Sequence, residues 1–406
     1  MTTPKLRFGE FDGSWNKLKI SEVTEYLVDG THFSPKSTEG EYKYITSKNI
    51  RNEGLDLTNI SYISAEEHEQ IYKRCKIQLG DILLTKDGAN TGNCCLNTLD
   101  EKFSLLSSVA VLRGKKSQFK NEFILQIFQS ELGQNTIISS MSGQAITRIT
   151  LTKLKDYSFY FPPIQEQTKI ASFLSAVDEK ISQLNQKHAL LSQYKQGMMQ
   201  KLFSQQIRFK ADDGSEFGAW EETKFEKIGT FLKGKGISKA DININGKTPC
   251  IRYGELYTSY GEVISKVISA TNLPIENLIL SKKNDVLIPA SGETQIDIAI
   301  ASCVLHDNVA LSGDLNIFRT KESGVFLSYL ICSYLKMQIA QLVQGNSVVH
   351  LYSSQLKGVE LNLPCLEEQT KIANFLSTID RKIAVVAQQI EQAKVWKKGL
   401  LQQMFV

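Results

Sequence analysis

The chain has 406 residues and a mass of 45.6 kDa, which is more than one ordinary domain needs and indicates two or three domains. Apolar residues make up 42% and charged residues 22%, values typical of globular proteins, so extensive disorder and low-complexity sequence are excluded. The net charge of +4 is too small to indicate a nucleic-acid partner by itself, so any phosphate-binding surface has to be local.

Features of secreted, metal-binding or membrane proteins are missing from the sequence. The seven cysteines form no Cys-x-x-Cys pair, and the five histidines complete no zinc-binding spacing. Residues 1–20 carry charges without an apolar core, and the longest apolar stretch, residues 326–335, is about half of a membrane span. We therefore expect a reduced, cytoplasmic protein with no membrane segment, no metal and no cofactor.

Residues 1–161 are predicted to form a first globular unit that mixes short strands with a few helices. The apolar segments at residues 81–84 and 108–113 are typical of buried strands, and residues 121–132 have the periodicity of a helix. A strand-like run at residues 157–161 then ends at a pair of prolines.

A long helix is predicted to follow, in a segment bounded at residues 162–206. Residues 165–203 contain no proline and a single glycine. Apolar side chains such as Val177, Ile181 and Leu184 recur at steps of four and three, which is typical of a helix packed along a heptad seam. The same seam contains Lys195.

The order of elements then repeats. Residues 207–363 are predicted to form a second globular unit, and residues 364–406 a second long helix whose seam places Lys397 where the first has Lys195. The predicted elements of the second unit are buried strands at 285–288 and 315–319, a helix at 324–342 and a strand-like run at 358–363.

The two halves are copies of one plan. Glu166-Gln-Thr-Lys-Ile-Ala recurs as Glu368-Gln-Thr-Lys-Ile-Ala, and residues 162–204 align with 364–406 without a gap. Weaker matches link residues 143–155 with 345–357, 80–88 with 284–292, and the Arg-Phe and Trp positions near the start of each unit. A duplicated α+β unit is therefore predicted, with two long antiparallel helices that form a coiled-coil spacer.

Two details of this alignment bear on function. Residues 46–49 align with 252–255, Lys86 with Ala290, and Arg148 with His350, so the loops differ although the frame repeats. This pattern indicates two versions of one task, and neutral drift in exposed loops is the alternative. We expect the seam lysines to extend their ammonium groups to solvent, with a role in helix register or partner binding as the alternative.

No catalytic motif is complete. Phe161-Pro-Pro-Ile164 lacks the polar and aromatic ends of a methyltransferase loop, and Gly234-Lys-Gly236 does not satisfy the P-loop spacing. Glu222-Thr-Lys224 has the spacing of a metal nuclease but lies in a linker, and His306 has no nucleophile at a recognisable spacing. We therefore predict a protein that is not an enzyme.

A duplicated unit whose copies each end in Pro-x-x-x-Glu-Gln and a long helix resembles the specificity (S) subunits of type I restriction–modification systems. The residues that carry the likeness are 162–175 and 364–377, with the approaches at 143–155 and 345–357. The likeness extends over essentially the whole chain. It implies that residues 1–161 and 207–363 are target-recognition domains, each for one half of a split, asymmetric DNA site.

The resemblance also implies the partners. They are double-stranded DNA with a bipartite site, two methyltransferase subunits that dock on the spacer helices, and restriction and translocation subunits in the full complex. The sequence departs from expectation in one respect, because residues 211–363 contain more acidic than basic residues.

Candidate DNA contacts are chosen by residue type and loop position, because base edges are recognised by hydrogen-bonding side chains and phosphates by Lys and Arg. They are Lys43, Tyr44, Thr46, Lys48, Asn49, Lys86, Gln144 and Arg148 in the first unit, and Arg252, Tyr253, Thr294, Gln295, Asn346 and His350 in the second.

Two other functions remain open at this point. One is a duplicated coiled-coil scaffold that binds proteins and reads no DNA, which the acidic second unit favours. The other is an enzyme without a recognisable motif. Strong salt dependence of DNA binding would argue against the scaffold, and incubation with DNA, magnesium and S-adenosylmethionine would test for an enzyme.

Overall fold

The computed structural model describes residues 3–37, 39–141, 148–345 and 348–406. Two compact units divide the chain: Met1–Lys187 together with Val386–Val406, and His188–Val385. Both divisions fall inside the long helices Ile164–Phe203 and Leu366–Met404. Each unit therefore contains one globular part and a piece of both helices.

The first unit is built around a four-stranded antiparallel sheet in the order Thr24–Asp29, Val109–Gly114, Ile82–Thr85 and Cys94–Leu96. Its inner strands are almost entirely buried, because apolar side chains leave both faces and are covered on each side. The other strands are Asn16–Lys19, Tyr42–Ile45, Ile50–Arg51, Gly54–Leu55, Ser61–Ile63, Ser104–Leu105 and Ser158–Phe161, and the shorter helices are Ile20–Val23, Ser47–Asn49, Ala65–Arg74, Asn121–Gln129, Glu131–Ser140 and Leu151–Asp156.

The second unit repeats this core with one strand added. Its sheet has the order Gly229–Lys233, Leu315–Thr320, Val286–Pro289, Ser302–Val304 and Val263–Ile264, and only the last pair is parallel. The other strands are Glu221–Lys224, Thr248–Ile251, Ser269–Thr271, Ile279–Leu280, Ser291–Gly292, Ala310–Leu311, Val349–His350 and Glu360–Leu363, and the shorter helices are Phe225–Ile228, Lys239–Asp241, Tyr253–Thr258, Ile275–Asn277, Gln295–Ile298, Gly324–Cys332, Lys336–Leu342 and Ser353–Lys357.

A buried glutamate ties the entrance of the first unit to its long helix. Glu166, in the first turn of the helix and fully buried, accepts two hydrogen bonds of 2.7 Å from Arg7 and one of 3.3 Å from the indole of Trp15. The next residue, Gln167, accepts from the backbone N–H of Lys120 at 3.1 Å and donates to the carbonyl of Pro162 at 2.8 Å. A bidentate guanidinium offsets the cost of burying this carboxylate.

The second copy of the signature makes the same contacts. Glu368 accepts from Arg208 at 2.7 and 3.0 Å and from the indole of Trp220 at 3.2 Å. Gln369 accepts from the backbone of Ser323 at 3.0 Å and donates to the carbonyl of Pro364 at 2.9 Å. The repeated Glu-Gln pair is thus a structural device that fixes where each long helix begins.

The two seam lysines are paired with acids of the other helix. In the first unit Lys397 Nζ lies 2.6 Å from Asp178 Oδ1, and in the second Lys195 Nζ lies 2.7 Å from Asp380 Oδ1. Along the first helix the paired positions come in the order 178 and then 195, whereas their partners on the second helix come in the reverse order, 397 and then 380. The helices therefore run antiparallel, as predicted. The expectation that these lysines extend to solvent is wrong, because each is only 14% exposed.

The environment of Lys195 is the more enclosed of the two. Its Nζ lies 2.9 Å from both carboxylate oxygens of Glu262 and 5.1 Å from the ring of Tyr329, whose hydroxyl donates to Asp380. Burial alone would lower the pKa of Lys195, but Glu262 and Asp380 outweigh it and raise that pKa. The lysine is therefore charged at neutral pH.

The predicted class, two copies of a mixed unit with two long antiparallel helices, is confirmed. The predicted strands in both sheets lie within two residues of those observed. Two helix predictions are too long: residues 121–132 break at Ser130, whose side chain caps the following helix, and residues 324–342 form two helices with a bend of 75°. Among the described residues no single helix is long and apolar enough to span a membrane, and this bent pair reaches that composition only when counted together.

Candidate nucleic-acid interface

Loops that carry most of the predicted contact residues meet at one end of each central sheet. In the first unit the segments after Asp29 and Thr85 and before Val109 leave the sheet at the same end, because these strands are antiparallel neighbours. In the second unit the segments after Lys233 and Pro289 and before Leu315 do the same.

Backbone hydrogen bonds join these loops in the first unit. The N–H of Ser47 donates to Ser108 Oγ at 3.3 Å, and the N–H of Lys86 donates to the carbonyl of Ser108 at 2.8 Å. The N–H of Ile149 donates to the carbonyl of Lys86, also at 2.8 Å. We call residues 46–49, 86–87, 106–108 and 148–149 the first loop cluster.

The second unit has an equivalent set of bonds. The N–H of Tyr253 donates to Ser312 Oγ at 3.2 Å, that of Ala290 to the carbonyl of Asp314 at 2.8 Å, and that of Leu351 to the carbonyl of Ala290 at 3.0 Å. We call residues 252–253, 290–297, 312–314 and 349–351 the second loop cluster. The positions that the sequence alignment paired, 46–49 with 252–255, 86 with 290 and 148 with 350, are therefore equivalent in space.

Side chains of the first loop cluster form an ionic chain. Arg148 Nε lies 3.2 Å from Asp87 Oδ1, and Lys86 Nζ lies 2.9 Å from Asp87 Oδ2 and 3.6 Å from Asp29 Oδ2. Arg74 Nη2 lies 3.0 Å from Asp29 Oδ1. The two arginines are more than half exposed, whereas Lys86 and Asp29 are almost completely buried. The arginines therefore stand at the surface above a buried charge pair.

Other predicted residues of the first unit shape the loops or lie outside the cluster. Asn49 is buried, and its amide accepts from the N–H of Thr46 and donates to the carbonyl of Asp56. Tyr44 is buried too, and burial raises the pKa of its phenol to about 12. Lys48 is exposed. Lys43 lies on the strand Tyr42–Ile45, where a hydrogen bond with Glu101 raises its pKa.

Neutral polar side chains dominate the second loop cluster. His350 Nδ1 lies 3.2 Å from Ser291 Oγ, at the positions where the first unit has Arg148 and Asp87. Thr294 accepts from the N–H of Asp297 and so caps a short helix that leaves Gln295 exposed. Tyr253 is 38% exposed.

Arg252 precedes the helix Tyr253–Thr258, and its Nε lies 3.6 Å from Glu255. Two predicted residues, Gln144 and Asn346, lie outside the described part of the chain. No group of three or more His, Cys, Asp and Glu residues within the described ranges is arranged to hold a metal ion.

One loop that was not predicted from the sequence borders each cluster. The N–H of Thr31 donates to the carbonyl of Leu105 at 2.8 Å, and the N–H of Lys235 donates to that of Leu311 at 3.1 Å. A Cβ on Gly30 would lie 2.0 Å from the carbonyl oxygen of Leu105, and one on Gly234 only 1.8 Å from that of Ser312. Both glycines are required by this close approach. These glycines were the sequence signal for the loop, although the spacing of Gly234-Lys-Gly236 excluded only a P-loop.

Comparison with known proteins decides between the functions that the sequence left open. The family model for the type I restriction modification DNA specificity domain matches residues 13–193 and again 218–395. The chain belongs to this family. The predicted resemblance is thereby confirmed, and a DNA-specificity function fits this family whereas a scaffold that reads no DNA does not.

Individual members of the specificity family agree with this assignment over nearly the full chain. The MjaVIII type I restriction enzyme specificity subunit of Methanocaldococcus jannaschii is 25% identical over 409 residues, covering 95% of this chain and 91% of the relative. The MjaIX type I restriction enzyme specificity subunit of the same organism is 22% identical over 422 residues, covering 97% of this chain and 93% of the relative. Both relatives are specificity subunits, which agrees with the prediction of a non-catalytic chain.

Solved structures show the same fold. The crystal structure of the type I restriction–modification system S subunit from M. genitalium has a TM-score of 0.62 at 16% identity and covers 100% of this chain and 99% of that one. A structure from work on complex assembly and conformational transition of a type I system has a TM-score of 0.55 at 16% identity, covering 96% and 97%.

Proposed function

We propose that the two loop clusters each bind one half of a bipartite, asymmetric site in double-stranded DNA. The observation that carries this proposal is the equivalence of the clusters: in each, one backbone N–H donates to a serine hydroxyl and two backbone–backbone hydrogen bonds join loops whose side chains differ. Two surfaces that recognise different bases require the same backbone arrangement of their loops but different side chains on them. The charged chain around Arg148 and the Ser291–His350 pair would select different bases.

The proposed contacts are a subset of the residues chosen from sequence, supported by their exposure or loop position. They are Thr46, Lys48 and Arg148 in the first cluster, Arg252, Tyr253, Thr294, Gln295 and His350 in the second, and Gln144 and Asn346 outside the described ranges. Tyr44, Asn49 and Lys86 are proposed to support the loops from within, because they are buried. Lys43 is proposed only as a phosphate contact beside its ion pair with Glu101.

Two methyltransferase subunits are proposed to dock on the long helices, and restriction and translocation subunits to join the full complex. Tyr194 and Trp396 support two equivalent docking positions, because they occupy matching places in the repeat and are 51% and 53% exposed. Large aromatic side chains that stay exposed on a helix are typical of interfaces.

Two further parts of the proposal concern boundaries and location. The domain limits 1–161, 162–206, 207–363 and 364–406 are retained as proposals. A cytoplasmic location is supported by the cysteines, all of which are free thiols and most of which are buried.

The test is a map of DNA methylation. The chain is expressed with its cognate methyltransferase subunit in a host that lacks DNA methylation, and modified bases are located by single-molecule sequencing. We expect a split motif with two specified halves around a fixed gap. A matched variant with the second cluster altered, Gln295→Ala with His350→Ala, should change one half only. Methylation without a split motif, or loss of specificity in both halves of this variant, would contradict the proposal.

A further inference from the structure

Arg148 is held in a way that leaves one edge of its guanidinium available. Its Nε is the nitrogen nearest to Asp87 Oδ1, at 3.2 Å, and its side chain is 55% exposed. Within the part of the chain that the structure describes, Nη1 and Nη2 donate no hydrogen bond to the protein. The backbones of Asp87 and Arg148 also pair as an antiparallel bridge, which fixes the distance between them.

The carboxylate that faces Arg148 is itself fixed from below. Asp87 is one-fifth exposed, and its second oxygen lies 2.9 Å from Lys86 Nζ. Lys86 is 2% exposed and also faces the buried Asp29, so it has no room to turn toward solvent. The buried ammonium of Lys86 therefore fixes the position of the Asp87 carboxylate, and this carboxylate in turn positions the guanidinium of Arg148.

A half-exposed guanidinium whose Nε faces a carboxylate, and whose Nη atoms are left to donate to a ligand, matches one base above the others. Guanine presents two acceptors in the major groove, N7 and O6, at the spacing of the two Nη donors, whereas adenine presents one acceptor and one donor there. Arginine has donors only and cannot satisfy the adenine pattern.

We propose that Arg148 recognises a guanine in one half-site through N7 and O6, with Asp87 as a positioning residue. This inference rests on the proposed function, because it assigns a base to one of the proposed contacts. The equivalent place in the second unit holds a Ser291–His350 pair above Ala290 and no arginine, so the same guanine contact does not extend to the other half-site.

The test uses DNA duplexes in which single atoms of the base are changed. The complex of this chain with its methyltransferase subunit is bound to unmethylated duplexes that carry the motif identified by the methylation map. In these duplexes each guanine is replaced in turn by 7-deazaguanine or inosine. Loss of N7 should weaken binding roughly 5- to 150-fold at one position of one half-site. Inosine at that position should bind nearly as well as guanine, because it keeps N7 and O6 and lacks only the minor-groove amino group.

Variants then assign that position to Arg148. Arg148→Ala should abolish the difference between guanine and 7-deazaguanine at that position, and Arg148→Lys should lose most of it although the charge is kept. Asp87→Asn should reduce the same discrimination while binding to unrelated DNA is retained, which a purely structural role would not produce. Arg74→Ala is the matched control, since it removes an equally exposed arginine of the same ionic chain and should leave the discrimination intact.

The outcomes separate this inference from the proposed function. A split motif whose guanines are all insensitive to 7-deaza substitution, or a sensitivity that persists in Arg148→Ala, would overturn the guanine assignment and leave the two-reader function standing. The absence of any split motif would overturn the proposed function itself. Sensitivity at one position that disappears in Arg148→Ala and Arg148→Lys, but not in Arg74→Ala, would establish the assignment.

Discussion

Replacing Lys195 with methionine should weaken the second unit far more than the equivalent change at Lys397 weakens the first. Lys195 Nζ lies within 2.9 Å of three carboxylate oxygens, and Asp380 and Glu262 are only 32% and 19% exposed. Methionine keeps the apolar stem but leaves these two acids facing each other without a cation. Breaking a buried ion pair costs about 3–5 kcal/mol, and the partial exposure of the acids reduces this to roughly 2–4 kcal/mol.

The matched variant Lys397→Met removes a weaker interaction. Asp178, the ionic partner of Lys397, is 40% exposed and keeps a hydrogen bond from Gln126 when the lysine is removed. The other contact of Lys397 is the neutral amide of Gln129. We expect a loss of about 1 kcal/mol. The triple variant Lys195→Met, Glu262→Gln, Asp380→Asn removes the uncompensated charges as well, and should recover much of the stability lost in the single variant.

Amide hydrogen exchange measured on peptides gives a separate free energy of opening for each unit, which bulk unfolding of a two-unit chain does not. Peptides from residues 325–333 and 376–384 should exchange roughly 30- to 700-fold faster in Lys195→Met, whereas residues 174–184 should be unchanged. Equal acceleration in both units, or a loss below about 1 kcal/mol in the second, would refute the claim that this lysine is a buried determinant of helix pairing.

Two further predictions concern buried polar groups. Glu368→Gln leaves Arg208 without its bidentate carboxylate and should lower the free energy of opening of the second unit by about 2–3 kcal/mol, and Glu166→Gln is the matched change in the first unit. Amide hydrogen exchange on peptides of each unit measures both, and a loss below about 1 kcal/mol would argue against the role of the signature. Burial lowers the pKa of His68, so the folded state binds fewer protons than the unfolded state and stability should fall as the pH drops below about 6.5. His68→Phe, which keeps the stack on Tyr42, should flatten that slope between pH 7.5 and 5; an unchanged slope would mean that another group is responsible.

The fold could be predicted largely because the chain contains an internal repeat whose two copies can be aligned with each other. Two copies of Glu-Gln-Thr-Lys-Ile-Ala after proline located the long helices, and the observed bounds Ile164–Phe203 lie within one residue of the prediction. The bend after Cys332 could not be predicted, because residues 326–335 are apolar throughout and contain neither glycine nor proline. The prediction that Lys195 and Lys397 extend to solvent was wrong because the acids that pair with them are determined by the register between the two helices, which one sequence does not specify.

The loops of the candidate interface were also predictable, but the orientation of their side chains was not. Residue type and loop position selected Arg148, Lys86 and Asn49 alike, although only Arg148 stands at the surface. Lys86 is buried because Asp29 and Asp87 compensate its charge, and these acids carry no sequence signal that connects them to it. Burial of a polar group depends on such partners, and therefore on the fold.

The first unit combines residues from both ends of the chain, and this has a consequence for biosynthesis. Its core includes Leu400, Leu401, Met404 and Phe405, and the N–H of Leu6 donates to the carbonyl of Gln403. The second unit consists of residues His188–Val385. A ribosome therefore delivers the first globular part with part of its apolar core uncovered, and the covering segment arrives on the order of 10–40 s later at ordinary rates of translation. The half of the protein that is synthesised first is completed last, and nascent chains spend that interval as targets for chaperones or for aggregation.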